Sequence, residues 1–87
     1  MGSKTTLQEG NTESYWTRPV GMNTALFLQA GEHDAEATWR IELCCKDDNK
    51  VELAPGEQRK INISEAAGAL VTVRNTGWAE FSCWTDY

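Results

Sequence analysis

The most constraining feature of this sequence is a strict alternation of side chains between Ala37 and Cys45. One set of alternate positions is largely apolar and comprises Trp39, Ile41, Leu43 and Cys45. The intervening set is mostly polar and comprises Thr38, Arg40, Glu42 and Cys44. A period of two residues is that of a β-strand with one buried face. We therefore predict a central strand here, with Trp39, Ile41 and Leu43 in the core.

The C-terminal stretch from Gly68 to Tyr87 contains two further strand-like runs. They flank Asn75-Thr76-Gly77, and Asn and Gly supply the positive φ that tight hairpin turns need. The stretch therefore predicts a β-hairpin. In its second run, Ala79, Phe81 and Cys83 alternate with a second set of residues. We expect these three to point inward and the second set to point outward: Trp78, Glu80, Ser82 and Trp84.

The rest of the chain reads as short strands separated by turn residues. We predict an edge strand at Ser14–Val20, a buried strand at Asn23–Ala30, a hairpin over Ala37–Leu53 and a strand at Arg59–Ser64. Ile61 and Ile63 should face inward, and Glu65–Ala67 should form a helical turn or a tight loop. Six or seven short strands indicate an all-β fold, a small antiparallel β-sandwich of immunoglobulin-like or jelly-roll-like type.

One segment, from Leu53 through Gly77, resembles the strand-turn-strand stretches of immunoglobulin-like sandwiches. The resemblance implies an architecture and no activity. The cysteine, tryptophan and cysteine spacing of true immunoglobulin domains is absent, because Trp39 precedes both Cys44 and Cys83.

We expect two parts, a polar arm at residues 1–13 and a single sandwich domain at residues 14–87. Leu7 is the one large apolar residue after Met1, so the arm should be mobile in the isolated monomer and should dock on a partner through Leu7. The start of the chain has no apolar run, so we expect synthesis in the cytoplasm without a signal peptide, followed by incorporation into a virion.

Charge and reactive side chains narrow the function. The 13 acidic residues outnumber the 8 basic ones, which argues against a nucleic-acid partner. The sequence has no apolar segment long enough to predict a membrane partner. His33 is the single histidine and lies in an acidic loop, so we expect no enzymatic activity. Cys44 and Cys45 are adjacent, so their side chains point to opposite faces of a strand and cannot both bind one zinc ion. We therefore expect no zinc site and no cofactor. We expect three free thiols, with a Cys45–Cys83 disulfide as the alternative.

Four tryptophans in 87 residues are the unusual feature. Exposed tryptophans separated by polar residues suit a protein interface or sugar stacking. The candidate binding residues are Trp78, Glu80 and Trp84, together with Trp16 and Leu7. We expect a non-enzymatic structural or interaction module that binds a protein partner or self-assembles, such as a decoration or attachment protein of a phage or virus particle. The alternative is a small carbohydrate-binding module.

Overall fold

The computed structural model describes residues 4–43 and 47–87, which form eight β-strands and one turn of 3₁₀ helix at Ser64–Ala66. The strands are β1 (Thr5–Leu7), β2 (Thr12–Trp16), β3 (Ala25–Ala30), β4 (Ala35–Ile41), β5 (Asn49–Leu53), β6 (Gln58–Asn62), β7 (Leu70–Asn75) and β8 (Phe81–Thr85). Within these described ranges, no helix has the length and apolar character needed to span a membrane.

The strands form two four-stranded antiparallel sheets with the orders β1-β8-β3-β6 and β2-β7-β4-β5. Each strand pairs with its counterpart counted from the other end of the chain, so β1 pairs with β8, β2 with β7, β3 with β6 and β4 with β5. This pairing is that of a long hairpin rolled into two sheets, the jelly roll or double-stranded β-helix. The all-β sandwich is confirmed, and the strand order selects the jelly-roll alternative.

Apolar side chains from both sheets fill the space between them. The largest fully buried ones are Phe81, Leu26, Leu28, Leu53, Ile63, Val71 and Val73. Trp39 and Ile41 are buried as predicted, and Ala79, Phe81 and Cys83 point inward as predicted.

Leu43 is not a core residue, and its predicted burial is wrong. Ile41 is the last residue of β4 and pairs with Val71 of β7, so Leu43 lies beyond the end of the sheet and is 46% exposed. The alternation continues past the last strand pair, where it no longer reports burial. Cys44 and Cys45 lie outside the described residues.

The predicted C-terminal hairpin is also wrong. β7 lies between β2 and β4 in one sheet, whereas β8 lies between β1 and β3 in the other. Residues 76–80 therefore cross from one sheet to the other, a separation of about 10 Å in packed sheets. The predicted hairpin over Ala37–Leu53 is confirmed by the β4–β5 pairing. The predicted edge strand Ser14–Val20 is confirmed only over Ser14–Trp16, the end of β2, which lies at the edge of its sheet.

The N-terminal segment departs from the expected mobile arm. Thr5–Leu7 pairs with Phe81, Ser82 and Cys83 of β8, and β2 already begins at Thr12. Leu7 is 3% exposed and packs in the core of its own chain. It is therefore not available to anchor the chain on a partner. The pairing of β1 with β8 orders a segment whose polar sequence would not be ordered on its own.

Candidate interaction surfaces

Asn75 organises the connection that carries Trp78. Its buried amide nitrogen donates to the carbonyls of Leu7 and Ala79, both at 2.9 Å, and its side-chain oxygen accepts from the Gly77 amide at 3.0 Å. Its backbone nitrogen donates to the carbonyl of Asn11 at 3.0 Å. A buried amide with all its groups paired fixes the surrounding backbone. The connection after β7 is thus joined to the end of β1 and to the turn that follows it.

Gly77 brings this connection close to β4. A Cβ at Gly77 would lie 3.1 Å from both the Cβ and the backbone nitrogen of Glu36, too near for an ordinary contact. The Thr76 amide donates to the Glu36 carbonyl at 3.2 Å. The predicted hairpin turn requires a positive φ near Gly77, but the φ of Gly77 is not positive. Its role is to let two backbones approach closely.

Trp78 is the residue shared by two surface depressions. Its side chain is 66% exposed, and the His33 ring lies 4.9 Å from it, centroid to centroid. The first depression has a volume of about 550 Å³ and the second about 530 Å³, and Trp78 lines both. Carboxylates line both depressions: Asp34, Glu36, Glu52 and Glu57 the first, Glu32 and Glu80 the second. An exposed indole therefore stands among six acidic side chains.

Part of this negative charge is neutralised locally. Glu36 lies 3.2 Å from the Lys50 ammonium, and hydrogen bonds from Thr76 and Lys50 lower the pKa of its carboxyl. The Ala54 amide and Arg59 likewise lower the pKa of Glu57. Three carboxylates lack such a neutralising cation among the described residues. In the part of the chain that the structure describes, no ion pair involves Glu32, Asp34 or Glu80.

Trp84 lies elsewhere, on the outer face of the sheet that contains β8. It is half-buried and stacks on Phe27 of β3, with ring centroids 5.5 Å apart and planes inclined by 10°. The Lys4 ammonium lies 4.9 Å from the centre of the Trp84 ring. Trp78 precedes β8 and lies in the connection, so the two tryptophans do not form the single outward face that the alternation predicts.

Most of the exposed large hydrophobic side chains lie at the opposite end of the sandwich. Among the described residues, six such side chains are exposed, and all except Trp78 belong to this end. They are Trp16, Val20, Met22, Leu43 and Tyr87. Trp16 and Tyr87 line one depression of about 340 Å³. We call this set the apolar end.

Arg18 and Asp86 hold the apolar end together. The Arg18 guanidinium donates to an Asp86 carboxylate oxygen at 3.0 Å, and its Cζ lies 5.1 Å from the centre of the Tyr87 ring. The same carboxylate oxygen accepts from the Ala25 amide at 2.9 Å. The Ala25 bond, with that of Arg18, lowers the pKa of Asp86. Arg18 thus fixes the C-terminal residues against the connection between β2 and β3.

The structure brings together only two of the five sequence-predicted binding residues, Trp78 and Glu80. Trp16 lies at the opposite end, Trp84 on a sheet face and Leu7 in the core. Sequence reasoning missed Val20, Met22 and Tyr87. A signal for the first two was present, because apolar side chains that flank Gly21 inside a turn have no strand to bury them.

Comparison with known proteins supports the fold alone. No protein-family model matches the chain, and no curated protein matches it. The chain is similar to a solved structure described as a "Solution NMR structure of a de novo designed double-stranded beta-helix". The TM-score is 0.55 at 21% identity, and the match covers 98% of this chain and 95% of that one. The likeness agrees with the jelly-roll strand order.

Proposed function

We propose that this protein is a non-enzymatic attachment module. It docks through its apolar end onto a protein surface of a larger assembly, such as a phage or virus particle. The observation that carries the proposal is that five of the six exposed large hydrophobic side chains of the described residues lie at one end. Single exposed hydrophobic residues are ordinary on soluble proteins, but a cluster of them is typical of an interaction site.

The composition of the apolar end supports a protein as its occupant. Trp16, Met22 and Tyr87 are of types enriched at the centres of protein interfaces, and so is Arg18 beside them. Trp16 and Tyr87 share a depression, and a partner side chain that entered it would remove both rings from water. Jelly rolls occur in viral capsid proteins, lectins and cupins, so the fold is compatible with a particle protein without selecting one.

The test is to isolate large assemblies from the native source and measure whether this chain sediments with them. Variants are then added back to assemblies stripped of the protein. Trp16→Ala with Tyr87→Ala should reduce occupancy by about thirtyfold or more, the loss typical of interface hot spots. Glu9→Ala, at an exposed residue of the other end, is the control and should leave occupancy unchanged.

Two results would contradict the proposal. One is sedimentation of the native protein at its monomer mass of 9.7 kDa. The other is equal occupancy by the double variant and the control. A purified protein that forms dimers through Trp16 would indicate self-assembly instead.

The carbohydrate-binding alternative loses its two-tryptophan platform, because Trp84 stacks on Phe27 away from Trp78. A lectin would have to use Trp78 as its single stacking residue. Sugar-dependent quenching of tryptophan fluorescence that is lost in Trp78→Ala would favour this alternative.

A further inference from the structure

We call Trp78 and the two depressions that it lines the Trp78 surface. This surface lies away from the apolar end and plays no part in the docking proposed above. We infer that it binds a basic, extended segment of a protein partner, with a lysine or arginine side chain lying against the Trp78 indole. The inference goes beyond the attachment function, because it gives the module a second, chemically different contact.

The charge distribution selects a cationic occupant. Six carboxylates line the two depressions beside Trp78, and no lysine or arginine of the described residues lines either one. Lys50 and Arg59 pair with three carboxylates of the first depression. Within residues 4–43 and 47–87, Glu32, Asp34 and Glu80 have no ion-pair partner. An aromatic face beside uncompensated carboxylates attracts lysine and arginine through both the ring quadrupole and the negative potential.

The shape of the surface selects an extended segment. Trp78 is the lining residue that the two depressions share, and their volumes are similar, about 550 and 530 Å³. A chain that passes over Trp78 can place side chains in both depressions. A compact cation would occupy one depression and leave the other in water.

The surface is also preorganised. Asn75 and Gly77 hold the connection against β1 and β4, so the backbone at Trp78 does not have to be ordered when a partner arrives. Gln8 donates to Glu80 at 2.5 Å and orients that carboxylate. Binding to a rigid site avoids the entropy loss of ordering a loop, which leaves more of the contact energy as affinity.

The test measures binding of a labelled, capped peptide of alternating arginine and glycine to the full chain by fluorescence anisotropy at low ionic strength. A peptide with glutamine in place of arginine is the matched probe. Trp78→Ala should weaken arginine-peptide binding by about tenfold, and Trp78→Phe should weaken it less because an aromatic face remains. The combination of Glu32→Gln, Asp34→Asn and Glu80→Gln should weaken binding by at least as much. Trp16→Ala should have no effect.

Several outcomes would overturn the inference. They are equal binding of the glutamine peptide, unchanged binding by Trp78→Ala, or absence of saturable binding to the folded wild-type chain. Binding of an oligosaccharide through Trp78 without binding of the arginine peptide would assign the surface to sugar. Because the Trp78 variants and the carboxylate variant leave the apolar end intact, failure here does not bear on attachment.

Discussion

The Tyr15 hydroxyl lies 3.1 Å from the carbonyl oxygen of Cys83 and 3.2 Å from its Sγ. Tyr15 belongs to edge strand β2 of one sheet and Cys83 to inner strand β8 of the other. The contact therefore links the two layers across the core. It also places two acidic hydrogens in a poorly solvated environment.

The first prediction is a loss of stability in alkali. Burial raises the pKa of the Cys83 thiol to about 11, whereas an unfolded thiol ionises near pH 8.5. The folded pKa is the higher one, so its contribution is complete below about pH 8.5 and is lost as pH rises toward 11. Burial, and then the bond to Cys83, raises the pKa of Tyr15 and extends the trend. Urea unfolding between about pH 7 and pH 10 measures it, and Cys83→Ala should flatten the slope. An unchanged slope would contradict the assignment.

The second prediction concerns the loss of stability in acid. The Ala25 amide, with Arg18, lowers the pKa of Asp86, and an unperturbed Asp has a pKa near 3.9. The resulting stabilisation is present above about pH 4 and is lost as pH falls through the lower, folded pKa. Thermal melts between about pH 6 and pH 2.5 should show a shallower acid dependence in Asp86→Asn. A slope equal to that of the wild type would contradict the assignment.

The third prediction separates a core leucine from an exposed one. Leu26 has no exposed surface, and Leu26→Ala should lower the free energy of unfolding by about 2–5 kcal/mol. Leu43 is 46% exposed, and Leu43→Ala should cost less than about 1 kcal/mol. Chemical denaturation of the two variants checks the end of β4 directly. Equal losses would show that Leu43 is a core residue.

The fourth prediction concerns Asn75. Asn75→Ala leaves the carbonyls of Leu7 and Ala79 without their donor, so it should lower the free energy of unfolding by about 2–3 kcal/mol. Thr76→Ala, the neighbouring change, removes exposed hydroxyl contacts with Thr38 and with the Glu36 carboxylate and should cost less than about 1 kcal/mol. If both variants unfold at the same denaturant concentration, Asn75 does not organise this corner.

Local periodicity was sufficient to predict the fold class but not the strand pairing. Alternation assigned the inward positions of β4 and β8 because a strand's two faces are fixed by its own geometry. It could not decide whether β7 and β8 are partners, since residues 76–80 serve equally as a turn within one sheet or as a crossing between two. Thr5–Leu7 has almost no apolar content and became a strand only because β8 offers it an unpaired edge.

The candidate surfaces were predictable only in part for a similar reason. Trp78 and Trp16 are exposed, as the composition suggested, but which neighbours they acquire depends on loops that long-range pairing brings together. Trp78 meets His33 and Asp34 from the β3–β4 loop. Trp16 meets Tyr87 because β2 and β8 end near one another.

The nested pairing of the strands has a kinetic consequence. The β4–β5 pair closes over a short loop, whereas the β1–β8 pair joins Thr5 to Cys83 across nearly the whole chain. Loop-closure entropy rises with the length of chain enclosed, so β4 and β5 should associate early and β1 should add last. Folding should then take milliseconds to seconds, with β1 as the final and most easily detached strand. Until that last step, a folding chain would expose the edge of β8 that β1 later covers.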